Sequence, residues 1–266
     1  MQIDAREGAM KQWNATACGE LEGDKTTAAY YDAVAAERYK QQPWQADYFR
    51  FQDFAGKKIL EIGVGQGTDL MQFAKAGADC HGIDITHNHL SLTQMNFDVH
   101  GKTVDLREAD ATAIPFPDDY FDCVYSFGVV HHIPEIEQVL GEARRVLKPG
   151  GKLMLAVYHK WSAFHLVKLF LSGILGGKLW RIGYDGLLAT IEAGADGVNI
   201  KPYVRLYSKS DARAILQRFD VEDVSVHQLY LEHMMPSSMV RRLAVPLPMS
   251  NLFGWYVAMK ATKPAA

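Results

Sequence analysis

The chain has 266 residues, 48% of them hydrophobic, and a formal net charge of −3. This length and apolar content suffice for one large core without disulfides, and the slightly acidic balance argues against nucleic acid, whose binders carry a basic face. The three cysteines form no Cys-x-x-Cys pair, which favours a reducing cytoplasm and predicts an inert, buried thiol at Cys123.

The N-terminal segment predicts an arm followed by helices. Residues 1–10 contain acids and no apolar run, so we expect no signal peptide. Residues 1–28 are mixed in composition and predict a poorly ordered arm, whereas residues 30–54 show a helical rhythm dense in aromatics. We therefore predict an N-terminal arm and helical cap over residues 1–54 and the main domain over residues 55–266.

From Lys57 onward, short apolar runs alternate with segments of helical period. Strands are predicted at KKILEIG, CHGIDI, TVDLREAD, FDCVYSFGVV, KLMLAVYH, VEDVSVHQLYL and LFGWYVAMKAT. Helices are predicted at TDLMQFAKAG, closed by Gly77, at HLSLTQMNFDVHG, at PEIEQVLGEARRVLKPGG, ending on its Pro-Gly-Gly, and at SKSDARAILQRF. This alternation predicts right-handed crossovers and a doubly wound α/β domain with a parallel sheet.

Residues 160–207 interrupt the alternation and predict a helical insertion after the fifth strand. Within it, residues 164–180 are apolar, but the run is short, contains Lys168 and breaks at Gly176-Gly177. It therefore predicts an amphipathic helix without stable membrane insertion. Whether its apolar face packs on the protein or contacts lipid or a lipophilic substrate stays open.

EIGVGQGTDL, residues 61–70, follows the first strand and opens a helix. A glycine-rich turn at this place brings a ligand close to the backbone at a helix N-terminus. Gly63, Gly65 and Gly67 alternate, whereas the dinucleotide fingerprint requires G-x-G-x-x-G. Glu61 would repel a pyrophosphate and suits a ligand with an ammonium group.

Two more acids follow the next strands. Asp84 ends the second strand, about where a carboxylate meets ribose hydroxyls. Asp110 follows the third strand, where a carboxylate can accept a hydrogen bond from an exocyclic amine. The ligand so described is a nucleoside with an amino-acid end and no phosphates.

These stretches resemble the class I S-adenosylmethionine-dependent methyltransferases, in particular the type 11 and ubiquinone-biosynthesis-like small-molecule enzymes. The resemblance covers roughly residues 30–160 and is carried by LEIGVGQG, GIDIT, ADATAIPFPDDYFDCVYSFGVVHHI and EARRVLKPGG. It implies a Rossmann-like sheet of seven strands, mostly parallel with an antiparallel last strand, and a helical substrate lid at about residues 160–207.

The resemblance also implies a set of residues for the cofactor, S-adenosylmethionine. The three glycines would line its methionine part beside Glu61, and Asp84 would hold the ribose with Ile85 as a further contact. Asp110 and the backbone of Ala111 would contact the adenine, and Ser126 would lie at the methyl-donor end.

GVVHHIP, residues 128–134, places His131 and His132 just after the fourth strand, at the expected mouth of the site. No third ligand with suitable spacing accompanies them, and methyl transfer from a sulfonium requires no metal, so we expect none. An imidazole titrates near neutral pH and could take a proton from the acceptor, or the pair could simply build the loop. By resemblance to phosphoethanolamine methyltransferases, His132 is the stronger candidate for the base, paired with Tyr30 or Tyr31.

The acceptor is less well defined by the sequence. Aromatic residues in the cap and the insertion favour an apolar or aromatic small molecule methylated on O, S, N or C. The alternative is a protein that retains the cofactor but does not methylate, such as a cyclase or a regulatory subunit. Neither the acceptor atom nor the oligomeric state is indicated.

Overall fold

The structure, a computed structural model, describes residues 7, 8, 10, 13, 14, 17–188, 203–230 and 249–265. Its strands are β1 Lys58–Ile62, β2 Asp79–Asp84, β3 Asp105–Glu108, β4 Phe121–Phe127, β5 Leu147–Tyr158, β6 Asp220–His227 and β7 Tyr256–Thr262. They form one sheet in the order β3-β2-β1-β4-β5-β7-β6. The strands from β1 to β5 are parallel, and β7 runs antiparallel to both β5 and β6. The predicted α/β sheet with an antiparallel last strand is confirmed.

The helices are α1 Ala28–Gln41, α2 Trp44–Phe49, α3 Thr68–Lys75, α4 His87–Val99, α5 Ile136–Val146, α6 Ala163–Lys168, α7 Lys178–Leu188, α8 Lys209–Ile215 and α9 Ser250–Phe253. Short 3₁₀ turns span Phe51–Phe54 and Val130–His132, and a π-helix spans Leu169–Leu175. Among the described helices, three begin directly after a residue whose side chain caps the helix, namely Thr27, Ser162 and Ser208. Thr27 accepts from the Tyr30 backbone before α1, and Ser208 forms a reciprocal capping box with Asp211 before α8.

Alternate residues of the strands pack into two different hydrophobic cores, because successive side chains point to opposite faces of a sheet. Leu60 of β1 belongs to the core that includes α5 and α8. Its neighbour Ile59 belongs to the core that includes α3 and the aromatics Phe49 and Phe51. Cys123 of β4 lies in this second core and is fully buried, as predicted.

The helix before β5 ends earlier than predicted. It stops at Val146 rather than at Pro-Gly-Gly, because Leu147 is already extended and pairs with Phe121 of β4. The glycines instead accommodate an irregular start of β5. Gly150 has a φ of +76° and its amide donates to the Lys263 carbonyl. Tertiary pairing therefore overrides the local stop signal.

The last strand also begins later than predicted. Leu252 and Phe253 belong to α9, and β7 starts at Tyr256. Gly254 separates the two elements at a point of close contact, since an added Cβ would lie 2.2 Å from the His227 carbonyl oxygen. Strand β6 correspondingly ends at His227, short of the predicted QLYL extension.

Between residues 163 and 188 the insertion is helical, but it is not one amphipathic helix, and its described residues 203–207 are not helical. Helix α6 passes directly into the π-helix, and α7 begins after a turn in which Gly177 has a φ of +68°. The predicted break at Gly176-Gly177 is therefore confirmed. Residues 189–202 of the predicted insertion lie outside the described residues.

The N-terminal segment contacts the main domain. Cys18 accepts a hydrogen bond through its carbonyl from Gln66 Nε2 at 3.0 Å, and Ala17 is buried. Helices α1 and α2 and the turn Phe51–Phe54 occupy the stretch predicted as helical. Most of residues 1–16 lie outside the described residues, and the division of the chain at residue 54 stays a prediction.

Candidate functional site

One cavity of about 410 Å³ opens at the carboxyl ends of the parallel strands. The strand order reverses between β1 and β4, which is where an open parallel sheet forms its ligand crevice. Residues of α1 and of the N-terminal arm complete the lining. The lining includes these residues predicted from the sequence: Glu61, Gly63, Gly65, Asp84, Ile85, Asp110, Ala111 and His132.

The glycine loop after β1 is tightly packed at both ends and open in the middle. Gly63, Gly65 and Gly67 all have left-handed φ values, of +78°, +55° and +70°. An added Cβ would lie 2.4 Å from the Val129 side chain at Gly63 and 2.8 Å from that of Thr93 at Gly67. At Gly65 such an atom would meet no described atom within 4 Å. The loop thus leaves room for a ligand to approach its backbone at Gly65.

Glu61 is a buried carboxyl group, 3% exposed, with an unsatisfied oxygen. Among the described residues, its Oε2 has no hydrogen-bond partner. Burial, and then the nearby Asp69 carboxylate, raise the pKa of Glu61 well above its usual range. A cationic group beside Oε2 would supply the missing donor and favour the ionised form. The site therefore fits a ligand with an ammonium end.

Asp84 is held rigidly at the end of β2. Its Oδ1 accepts from the Thr86 backbone amide at 3.0 Å and from the Thr86 hydroxyl at 2.8 Å, and its Oδ2 lies 3.1 Å from His89 Nδ1. Burial alone would raise the pKa of Asp84, but the hydrogen bonds from His89 and Thr86 outweigh it and lower the pKa. The side chain is thus an ionised acceptor at the cavity wall.

His89 is a lining residue that the sequence analysis missed. It lies in the first turn of α4, five residues after Asp84, and this spacing is the only sequence signal for it. Its Nε2 is buried and has no partner within the described part of the chain. The Asp84–His89 pair therefore offers a ligand both an acceptor and a second polar atom at the same wall.

Asp110 and Ala111 follow β3 and line the same cavity as Asp84 and Glu61. Asp110 Oδ1 accepts from the Thr112 amide at 2.8 Å and from the Thr112 hydroxyl at 2.7 Å, which fixes the carboxylate at the loop. Three acids from three successive strand ends therefore meet at one cavity, the arrangement that the sequence led us to expect.

Ser126 and Gly67 do not belong to the cavity wall. Ser126 is fully buried, and its hydroxyl donates to the Ile62 carbonyl at 2.8 Å, so it supports the start of the glycine loop from below. The structure thus does not place Ser126 at a methyl-donor position. Gly67 lies behind the loop, against Thr93 of α4.

The two adjacent histidines have different surroundings. His132 lines the cavity, and its Nδ1 lies 2.7 Å from the Tyr203 carbonyl oxygen. A carbonyl oxygen can only accept a hydrogen bond, so Nδ1 carries the proton in this contact. Nε2 is therefore the nitrogen with a lone pair. His131 is fully buried, with its ring centroid 4.0 Å from that of Tyr158, and neither of its ring nitrogens has a partner among the described residues. His131 therefore serves packing rather than the cavity.

Tyr30, predicted to assist His132, does not line the cavity. Its hydroxyl donates to Gln66 Oε1 at 3.0 Å, so it fastens α1 to the glycine loop. Among the described residues of the N-terminal segment, Trp13 contacts His132, with ring centroids 5.9 Å apart. Nothing in the sequence separated Trp13 from the rest of the arm.

The surroundings of His131 lead to a pH-dependent stability. Burial, and then His132, lower the pKa of His131 well below its usual value. Below about pH 6.5 the unfolded chain takes up a proton there that the folded chain does not, so stability falls as the pH falls, by about 1.4 kcal/mol per pH unit. In the His131→Leu variant we expect the dependence of stability on pH to be smaller by about 1.4 kcal/mol per pH unit. Urea unfolding of both proteins at several pH values between about 7 and 5 measures it.

Other buried histidines contribute equally to both proteins, so the difference between the two slopes isolates His131. Burial also lowers the pKa of His165, to about 4, and this contribution is common to the wild type and the variant. Identical slopes would show that His131 is not held neutral in the folded protein.

A buried ionic cluster joins the helical cap to α3 beside the cavity. Asp69 accepts from Arg38 Nε at 2.9 Å, from Arg38 Nη2 at 2.6 Å and from the Tyr39 hydroxyl at 2.8 Å. Gln45 Nε2 and the Tyr125 hydroxyl also donate to it, at 2.7 Å and 2.9 Å. Asp69 is 3% exposed, so the cluster holds α1 against the loop from inside the protein.

Aromatic side chains form a further part of the cavity wall. Phe127, Tyr158 and Tyr256 contribute from the ends of β4 and β5 and the start of β7, and Gln41 and Gln42 contribute from the end of α1. This apolar wall with a few polar groups is the usual composition of a small-molecule site. No group of three His, Cys, Asp or Glu side chains able to hold a metal occurs in the described ranges.

Comparison with known proteins agrees with this geometry. Residues 60–155 match the family model described as a methyltransferase domain. The chain is 34% identical over 127 residues to methyltransferase GfsG of Streptomyces halstedii, covering 47% of this chain and 44% of that protein. It is 34% identical over 146 residues to demethylmenaquinone methyltransferase of Thermus thermophilus, covering 49% of this chain and 64% of that protein. The chain thus spans less than two thirds of these relatives.

Among solved structures, magnesium protoporphyrin IX methyltransferase from Synechocystis PCC 6803, determined with bound S-adenosylmethionine, has a TM-score of 0.59 at 13% identity. The match covers 98% of each chain and shows a common fold. The family match over residues 60–155, which contain most of β1 to β5, and the strand order of the sheet show that the chain has the class I methyltransferase fold.

Proposed function

We propose that the cavity binds S-adenosylmethionine and that the protein transfers its methyl group to a small-molecule acceptor. The observation that carries the proposal is that Glu61, Asp84 and Asp110, from three strand ends, line one cavity together with the glycine loop. When bound, the cofactor supplies an electrophilic methyl group on a sulfonium. The protein's part is then to hold both reactants in line and to take up a proton.

Each wall of the cavity matches one part of such a ligand. Glu61, with its unsatisfied Oε2, would accept from the ammonium group, and Gly65 would admit the methionine chain against the backbone. Asp84 would accept from the ribose hydroxyls, with His89 Nε2 beside it. Asp110 and the Ala111 backbone would contact the adenine.

His132 is the residue in the lining best suited to take a proton from an acceptor. Its Nδ1 is engaged by the Tyr203 carbonyl, which fixes the tautomer in which Nε2 has the lone pair. It lies in the same cavity as the aromatic side chains of Phe127, Tyr158 and Tyr256. An acceptor lying against these rings would have its hydroxyl, thiol or amine within reach of the imidazole.

The aromatic wall supports an apolar or aromatic acceptor. Demethylmenaquinone methyltransferase, named for a quinone, is among the relatives of the chain, which favours a ring-shaped lipophilic molecule.

Transfer of tritium from methyl-labelled S-adenosylmethionine, screened across phenols, thiols, amines and lipid quinones, tests the proposal. Labelled product with at least one class supports methyl transfer. Tight cofactor binding without any labelled product would favour the alternative, a protein that retains the cofactor without methylating.

The Asp84→Ala variant should bind S-adenosylhomocysteine more weakly by roughly 1–3 kcal/mol, because it leaves ligand hydroxyls unpaired in a buried site. Isothermal titration measures the loss. Asp79→Ala is the matched control, since Asp79 lies at the opposite end of the same strand and is exposed. An unchanged affinity in Asp84→Ala would rule out the ribose assignment.

A further inference from the structure

The described part of the insertion exposes an unusual amount of apolar surface. We call residues 163–188, which comprise α6, the π-helix and α7, the helical hairpin. Phe170 is 54% exposed, Leu175 67% and Trp180 70%, and further exposed apolar side chains are Leu171, Ile174, Ile182 and Tyr184. Exposed apolar side chains concentrated in one short element are typical of an interaction site.

The hairpin is fixed to the protein by its other side. Gly173 lets the two arms approach closely, since an added Cβ would lie 2.8 Å from Leu187. Leu188 is buried with Val204, and Phe164 packs edge-on against Trp255 with ring centroids 4.4 Å apart. The exposed side chains therefore belong to an anchored element that presents a defined surface.

The charge of the hairpin indicates which kind of surface could bind to it. Residues 163–188 contain two lysines, one arginine and one aspartate, so the hairpin has a net charge of +2, although the whole chain has a net charge of −3. Lys178 and Arg181 are exposed on either side of Trp180. A symmetric contact between two copies would bring these like charges together, which disfavours a dimer through this face.

An anionic lipid surface matches both properties. Basic residues are attracted to acidic headgroups, while Trp, Phe and Leu side chains enter the boundary between headgroups and acyl chains. No helix in the described ranges is long and apolar enough to cross a bilayer. We propose that the helical hairpin docks the protein on the surface of an anionic bilayer, with Phe170, Leu175 and Trp180 at the acyl boundary.

Vesicle flotation with the full chain tests this proposal without cofactor or acceptor, so its outcome is independent of methyl transfer. We expect binding to vesicles of phosphatidylcholine mixed with phosphatidylglycerol, little binding to phosphatidylcholine alone, and weaker binding at high salt. The Leu175→Asp variant and the Lys178→Glu, Arg181→Glu double variant should each weaken binding at least about tenfold.

The matched controls are Val221→Asp on β6 and Met95→Asp on α4, because both side chains are partly exposed outside the hairpin. These should bind like the wild type, and circular dichroism should show that all variants are folded. Equal flotation of the hairpin variants and the wild type would overturn the proposal. So would an absence of vesicle binding together with a dimer, detected by light scattering, that Leu175→Asp dissociates.

Discussion

We expect the His132→Ala variant to turn over roughly 10²–10⁴-fold more slowly than the wild type, the usual contribution of a positioned general base. Its affinity for S-adenosylhomocysteine should change little, because the cofactor would contact the other strand ends. The wild-type rate should also rise with pH as the imidazole loses its proton, and this rise should be absent in the variant. Single-turnover and steady-state rates across a pH series measure both effects.

His131→Leu is the control for this experiment, since it removes the neighbouring imidazole without reaching the cavity wall. It should keep the wild-type rate and pH profile while losing part of the acid sensitivity of folding. If His132→Ala retained wild-type turnover and pH dependence, His132 would not be the base, and alignment of the reactants would be the main source of rate.

The second large effect concerns stability. Asp69→Ala should lower the free energy of unfolding by about 3–5 kcal/mol, because it leaves the Arg38 guanidinium without its buried partner. The hydroxyls of Tyr39 and Tyr125 would lose an acceptor in the same step. Urea unfolding followed by circular dichroism measures the loss.

Two further variants show whether burial is the cause. Asp53→Ala breaks an exposed pair with Arg50 and should cost at most about 1 kcal/mol. Combining Asp69→Leu with Arg38→Met removes both charges together and should recover much of the stability lost in Asp69→Ala. A loss in Asp69→Ala no greater than that in Asp53→Ala would show that the cluster does not hold the cap.

The sheet and the cofactor cavity could be predicted because their signals are local. Alternation of strands and helices sets the parallel order, and parallel strands end at one edge of the sheet. Glu61 and Asp84 lie within the last two residues of their strands, and Asp110 follows β3 by two residues, so knowing the strands was enough to bring them together.

Element ends were harder to predict because pairing partners far along the chain decide them. Leu147 leaves the helical conformation to pair with Phe121, and Gly254 is required where the chain passes the His227 carbonyl. A propensity or stop signal within a short window does not include these contacts.

The role of each residue in the site could not be predicted, because it depends on whether the side chain reaches the cavity. Adjacent residues differ in this respect. His131 and His132 are neighbours of one type, yet only His132 lines the cavity. The ionic cluster joins Asp69 to Arg38 and to Tyr125 across separations of 31 and 56 residues, which no spacing rule relates. His89 could have been found from its place in the first turn after Asp84.

The most direct test of the account is isothermal titration of the wild-type protein with S-adenosylhomocysteine and with NAD. We expect one binding site for S-adenosylhomocysteine, because the glycines alternate and the buried Glu61 has an unsatisfied oxygen. We expect no heat of binding for NAD, because the glycines lack the spacing that binds a pyrophosphate. Binding of NAD without binding of S-adenosylhomocysteine would contradict the assignment of the cavity.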